Sequence, residues 1–120
     1  MNISNMAVTN PAQITRVTSV STSAAPTPNC DTTDIYNLYG LASGATFSAA
    51  GTPKRGQKLI VWIRDNNNPQ VLSWGANFKA GSEIALPLIT VPNVYIYLGF
   101  IWNPDSYPSP IWDLIAKVSV

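Results

Sequence analysis

The sequence predicts an all-β protein, with an antiparallel β-sandwich or jelly-roll-like body behind an extended N-terminal arm. Three observations carry that prediction. Short runs of β-branched and aromatic residues recur about every ten positions, separated by Gly, Pro and Asn turn signals. No segment keeps the apolar period of a helix, and there is no internal repeat or heptad. All twelve aromatic residues lie after Asp34, which makes residues 34–120 the sandwich domain and residues 1–33 an arm and linker.

Size and charge narrow the reading further. A chain of 120 residues is one domain, and folding at this size buries roughly 65% of the surface that the unfolded chain exposes. Only 11% of residues are charged and the net charge is +1, against about 25% charged in an ordinary soluble domain. Phosphate neutralisation needs a basic face, so no nucleic-acid partner is expected. Low charge combined with 46% hydrophobic residues points to a surface partly covered by other protein. The single cysteine, Cys30, excludes an intrachain disulfide. The N-terminus lacks the features of a signal peptide, and no apolar stretch approaches the ~20 residues that span a bilayer. A soluble protein made in the cytoplasm, with no membrane partner, is the expectation.

Taken in order, residues 1–33 are rich in Ser, Thr, Asn and Ala, and Arg16 is the only charge before Asp31. Such a segment buries too little apolar surface to order itself, so by composition it reads as a disordered tail; as an ordered arm, its expected place is on a neighbouring subunit. Residues 13–20 (QITRVTSV) are β-prone and suited to join a partner's sheet edge, with Ile14, Val17 and Val20 in contact. Residues 25–28 (APTP) read as a stiff linker. Strands are predicted at 34–39 and 45–49. The central stretch, 51–66 (GTPKRGQKLIVWIRDN), is turn, strand and turn. Its two-residue period puts Leu59, Val61 and Ile63 in the core, with Ile60, Trp62 and Arg64 opposite.

Beyond it, the DNNNP turn at 65–69 leads to 70–74 (QVLSW), expected to return as a hairpin partner. Residues 83–88 and 90–91 read as short edges limited by Pro87 and Pro92. Residues 94–103 (VYIYLGFIWN) form the most apolar segment, carry bulky residues on both faces and are expected to be buried on both. After a turn with three prolines, 111–120 closes the chain, with Trp112, Leu114, Ala116 and Val118 alternating against Asp113, Ile115, Lys117 and Ser119.

Chemistry is thinly represented. Histidine is absent, and Cys30 has no imidazole to activate it. Asp65, Glu83, Asp105 and Asp113 are the candidates for a glycosidase-like carboxylate pair, but each has an ordinary structural position. No phosphate loop, metal-ligand cluster or nucleophile elbow is present, so no catalytic, cofactor or metal site and no small-molecule substrate is expected. The aromatics Trp62, Tyr95, Tyr97, Trp102 and Tyr107 read either as a sugar-stacking platform or as core and interface, the latter favoured because strands apolar on both faces need a second protein layer. The expected subunit or capsid interface is Ile14, Val17, Val20, Ile60, Trp62, Arg64, Tyr95 and Trp102.

From residue 51 onward the chain resembles a β-sandwich domain found in virion proteins of tailed bacteriophages, among them capsid decoration (cement) proteins, head fibres and tail-associated proteins. The resemblance lies in an ordered set: GTP at 51–53, GQKL at 56–59, IRDN at 63–66, LSW at 72–74, FKA at 78–80, LP at 86–87, TV at 90–91, YLGFIWN at 97–103 and WDLIA at 112–116. Two departures stand out: Trp62 replaces a polar outward residue, and residues 67–69 (NNP) replace a Gly-containing turn. The resemblance implies a non-enzymatic structural role, usually as a trimer. One compact domain with a short arm suits a cement protein that binds the major capsid protein and copies of itself, with the arm stapling neighbours. A receptor- or carbohydrate-binding module of the tail is the alternative.

Overall fold

The structure, a computed structural model, describes residues 14–120. All of its regular structure is strand, as expected: β1 (Val17–Ser21), β2 (Ile35–Leu41), β3 (Ala45–Phe47), β4 (Lys58–Asp65), β5 (Leu72–Trp74), β6 (Phe78–Ala80), β7 (Ile96–Asn103) and β8 (Ile111–Ser119). No described helix is long and apolar enough to cross a membrane. Six strands form one sheet in the order β1-β2-β4-β7-β8-β6, and β3 and β5 form a second.

Strand direction departs from the antiparallel expectation. β1 with β2, β2 with β4, β3 with β5 and β6 with β8 are parallel; β7 alone is antiparallel to both its neighbours, β4 and β8. The cause is the path of the chain, because parallel neighbours require a crossover between them. Here the connections from β1 to β2 and from β2 to β4 pass through the other layer, whereas β7, between β6 and β8 in sequence, lies in the same sheet. The chain runs from β1 through residues 24–29 to β2, through β3 to β4, and through β5 to β6. In the second layer the amides of Thr46, Ser48 and Ala50 donate to the carbonyls of Ala24, Pro26 and Pro28 at 3.0–3.1 Å, so residues 24–29 form an irregular rung beside β3. The expected hairpin of 58–65 with 70–74 is therefore absent. Both edges of β4 are taken by β2 and β7, and β5 lies in the other layer.

The arm also differs from expectation. Residues 14–33 fold onto their own chain, whereas residues 1–13 lie outside the described region. The Arg16 carbonyl accepts from the amides of Asp34 (2.8 Å) and Ile35 (3.0 Å). Its guanidinium donates to the Asp34 carboxylate (2.8 and 3.2 Å) and the Asp31 carbonyl (2.6 Å). The Thr18 and Thr33 hydroxyls bond to each other. Pro26, Pro28, Cys30 and Thr33 are buried. The body thus begins near Arg16, not at Asp34, and backbone pairing supplies the order that apolar composition does not.

Between the layers sits one core. Leu59, Val61 and Ile63 of β4 are fully buried, as the two-residue period predicts, and Leu38, Leu98, Phe100 and Trp112 join them from the same sheet. The second layer contributes Phe47 and Leu72. Phe47 stacks on Trp74 at 4.4 Å, and Trp74 reaches Phe100 at 5.9 Å, so one aromatic chain ties the layers together. Residues 94–103 are not buried on both faces: Ile96, Leu98 and Phe100 point inward, but Tyr97 is 36% exposed.

Two local features explain the turns around β4. Gly51 has φ +93°, and a Cβ there would approach Asn29 Oδ1 to 2.6 Å and Cys30 Sγ to 2.8 Å, so only glycine fits where the chain passes residues 29–31. In the NNP turn Asn67 takes φ +79°, supplying the left-handed residue that glycine usually provides.

Candidate protein-interaction face

The side of the six-stranded sheet turned away from the core carries no second layer among the described residues. Strand register aligns its side chains into rows, since in-register neighbours share a face. One row is Val17, Ile35, Ile60, Gly99 and Ala116. The next is Ser19, Asn37, Trp62, Tyr97 and Val118. Beyond it Tyr95 and Val120 exchange backbone hydrogen bonds (3.0 and 2.9 Å), and the Arg64 guanidinium lies 5.0 Å from the Tyr95 ring centroid. Val17, Ile60 and Val118 are 53%, 38% and 56% exposed, and Ile60 is so although its strand, β4, is central in the sheet.

Relief on this face comes from side-chain size. Gly99 and Ala116 floor a hollow of about 270 Å³ walled by Ile60, Tyr97 and Val118. A ridge of rings stands beside it, with Trp62 to Tyr97 at 5.4 Å and Tyr95 to Tyr97 at 5.7 Å. At one corner a wider depression of about 590 Å³ is bounded by Ile14, Arg16, Asp34, Ile35, Lys58 and Ile60.

Charges sit at the margins. Arg16 holds the Asp34 carboxyl below its ordinary value through its hydrogen bonds, and Asp34 in turn raises the Arg16 guanidinium. Both are well exposed, so the pair adds little stability. Lys58 and Asp113 end the row through Ile101, and Lys79 is in register with Asp113. Arg64 Nε and Asn37 Oδ1 are buried without a hydrogen-bond partner among the described residues, and both belong to this face.

Of the predicted interface residues, Val17, Ile60, Trp62, Arg64 and Tyr95 come together here, with Ile14 at the corner. Val20 and Trp102 do not. Val20 pairs with buried Leu38 and packs on the core. Trp102 shares the parity of Phe100, and its ring lies 5.3 Å from that of buried Trp112. Tyr97, weighed among the aromatics but not placed in the expected interface, joins the face, and Ala116 and Val118 join it unpredicted. Tyr97 follows from the parity of Tyr95. Ala116 and Val118 instead leave the side of Trp112 and Leu114 because a bulge intervenes: Phe100 pairs with Leu114, but Gly99 pairs with Ala116, leaving Ile115 as the extra residue. A second exposed apolar group, Val71, Leu88, Ile89 and Val91, lies at the far edge of the second layer.

The reactive groups have structural surroundings. Burial pushes the Cys30 thiol up, and adjacent Asp31 adds to the rise, so the thiolate is disfavoured. Asp65 is buried and accepts three hydrogen bonds. Asp105 pairs with Arg55. No group of three or more His, Cys, Asp or Glu side chains among the described residues is placed to hold a metal ion. Neither protein-family models nor curated proteins give a match to this chain.

Proposed function

We propose that this chain is a structural virion protein, a β-sandwich subunit that decorates and cements the head shell of a tailed phage. In this reading it acts as an oligomer, a trimer by the resemblance, on the outer capsid surface after synthesis in the host cytoplasm. Its partners are the major capsid protein and copies of itself. The observation that carries the reading is the open face centred on Ile60, Trp62, Tyr97 and Val118. Five strands about 4.8 Å apart, each showing three or four outward residues, give a footprint of roughly 500 Å². Side-chain relief brings such an area toward the scale that one partner contributes to a protein interface, and its centre, at Ile60, Tyr97 and Val118, is apolar, as interaction surfaces are. The face offers contact and little reactive chemistry.

The test uses phage heads lacking the chain, to which purified protein is added back. Wild type is expected to bind stoichiometrically. The double variant Ile60→Lys, Val118→Lys changes two exposed positions, so its Tm should move by only about 2 °C, while head binding falls at least about tenfold. Virions without copies of the chain, or a double variant that binds as well as wild type, would refute the reading.

The ridge of Trp62, Tyr95 and Tyr97 favours one other reading, a carbohydrate-binding module of the tail. Sugar sites combine ring stacking with convergent polar groups, whereas the adjoining hollow is lined by aliphatic side chains and Tyr97. Glycan-array hits that disappear on Tyr97→Ala would move the assignment to the tail.

A further inference from the structure

We propose that the outer edge of β1 is a homotypic docking edge, where β1 of a second copy pairs antiparallel and joins two six-stranded sheets into one. This goes beyond the virion reading and concerns an edge, not the open face. Its first support is an unused set of backbone groups. The Arg16 carbonyl and the Thr22 amide both bond to the β2 side, so by alternation the amides and carbonyls of Val17, Ser19 and Ser21 point away from β2. Among the described residues no strand pairs there, because β1 ends the sheet order.

The second support is the contrast between edges. Sheets ordinarily blunt their edges with proline, charge or brevity. Three of the four edges here are blunted. The rung at 24–29 carries Pro26 and Pro28, which have no amide to donate. The rung around Ile89 is bracketed by Pro87 and Pro92. β6 is three residues long and carries Lys79. β1 alone has neither charge nor proline (VTSVS), and its five-residue register with β2 is unbroken.

The third support is self-complementarity, which commits the occupant to a second copy. A two-fold axis at Ser19 sets Ser19 opposite its mate, Val17 opposite Ser21 and Thr18 opposite Val20. No charges oppose each other within the paired residues, and Arg16 is already held by Asp34. Thr22, with φ +44°, ends the extended run and limits the register to these five residues.

Ser19 would form a hydrogen-bonded antiparallel pair with Cα atoms about 5.5 Å apart, within disulfide range. The full-length chain carrying Ser19→Cys is therefore oxidised and run on a non-reducing gel, with exposed Ser73→Cys of β5 as control; native Cys30 is buried and contributes little background. More than half of the Ser19→Cys chains should become covalent dimers, and the control few. Light scattering should give an even number of copies for wild type, six where the trimers of the virion reading are joined in pairs through this edge. Ser19→Lys, which opposes like charges at the axis and removes only a 3.3 Å hydrogen bond from Asn37, should halve that mass with the fold intact by circular dichroism. A monomer, an odd copy number, cross-linking no better than the control, or a Ser19→Lys mass equal to wild type overturns the proposal. Occupation of the edge by any other strand appears as the failed cross-link.

Discussion

Asp65→Ala should lower stability by about 3–4 kcal/mol, read as a fall in the urea midpoint without change of slope. Asp65 ends β4 on the core-facing side, a place the two-residue period otherwise fills with Leu59, Val61 and Ile63, and it is 1% exposed. Its Oδ1 accepts from the amides of Asn67 (2.9 Å) and Asn93 (2.8 Å), and its Oδ2 accepts from the Thr90 hydroxyl (2.6 Å). That hydroxyl accepts from the Gln70 amide at 2.8 Å. One carboxylate thus fastens the turn after β4 and the loop before β7. Alanine leaves those donors without a partner, each costing about 1–3 kcal/mol before water relieves part of the loss. Asp65→Asn keeps the volume and one acceptor oxygen, so its cost should be about 2 kcal/mol.

The same site sets the response to acid. Burial works to raise the Asp65 carboxyl, but the hydrogen bonds from Thr90, Asn93 and Asn67, with the charge of Arg64, outweigh it and hold the carboxyl below its ordinary value. A group depressed in the folded state contributes its full stability above the unfolded value, near about 3.9 for Asp, and loses it as pH falls through the folded value. Asp34 and Asp105 are lowered in the same direction by Arg16 and Arg55, but both are exposed and add little. The Tm should be flat from about pH 8 to about pH 5 and fall below about pH 4. Asp65→Asn should show a shallower fall. An equal acid loss in that variant would assign the effect to other carboxylates.

What could be read from the chain follows the range of the interactions involved. The inward set of β4 and the outward set of Ile60, Trp62 and Arg64 were legible because alternation is local. Strand direction was not, because it depends on which distant segments pair: β4 lies between β2 and β7, although the nearest β-prone run in sequence is 70–74. The fold of residues 14–33 was hidden for a related reason. Its order comes from backbone bonds, such as those from Thr46 and Ser48 to the carbonyls of Ala24 and Pro26, to which composition is blind. The open face was half legible. Tyr95 and Tyr97 follow from period two, but the bulge at Ile115 reverses the sides of Ala116 and Val118 and leaves no mark in residue type. Trp102 shows the converse error, where a bulky residue on a strand with two apolar faces was given to the wrong one.

Phe47→Ala should cost about 4 kcal/mol. The second sheet consists of two strands of three residues each, too short to persist on pairing alone. What seats it is the Phe47 ring, fully buried and stacked on Trp74 at 4.4 Å and 12°. Trp74 contacts Phe78 (5.5 Å) and Phe100 (5.9 Å), and its Nε1 donates to the Pro87 carbonyl (2.8 Å). Removing the Phe47 ring takes away apolar burial and leaves Trp74 facing a void, so a red shift of tryptophan emission should accompany the lower urea midpoint. Tyr97→Ala is the matched comparison, since Tyr97 has a large ring on the outward side of the six-stranded sheet and is 36% exposed. Its cost in the isolated chain should stay near or below about 1 kcal/mol. The difference between the two separates the side that holds this chain together from the side left open. If Tyr97→Ala proved as costly as Phe47→Ala in the separated chain, the open face would be serving the fold itself and the interface reading would fall.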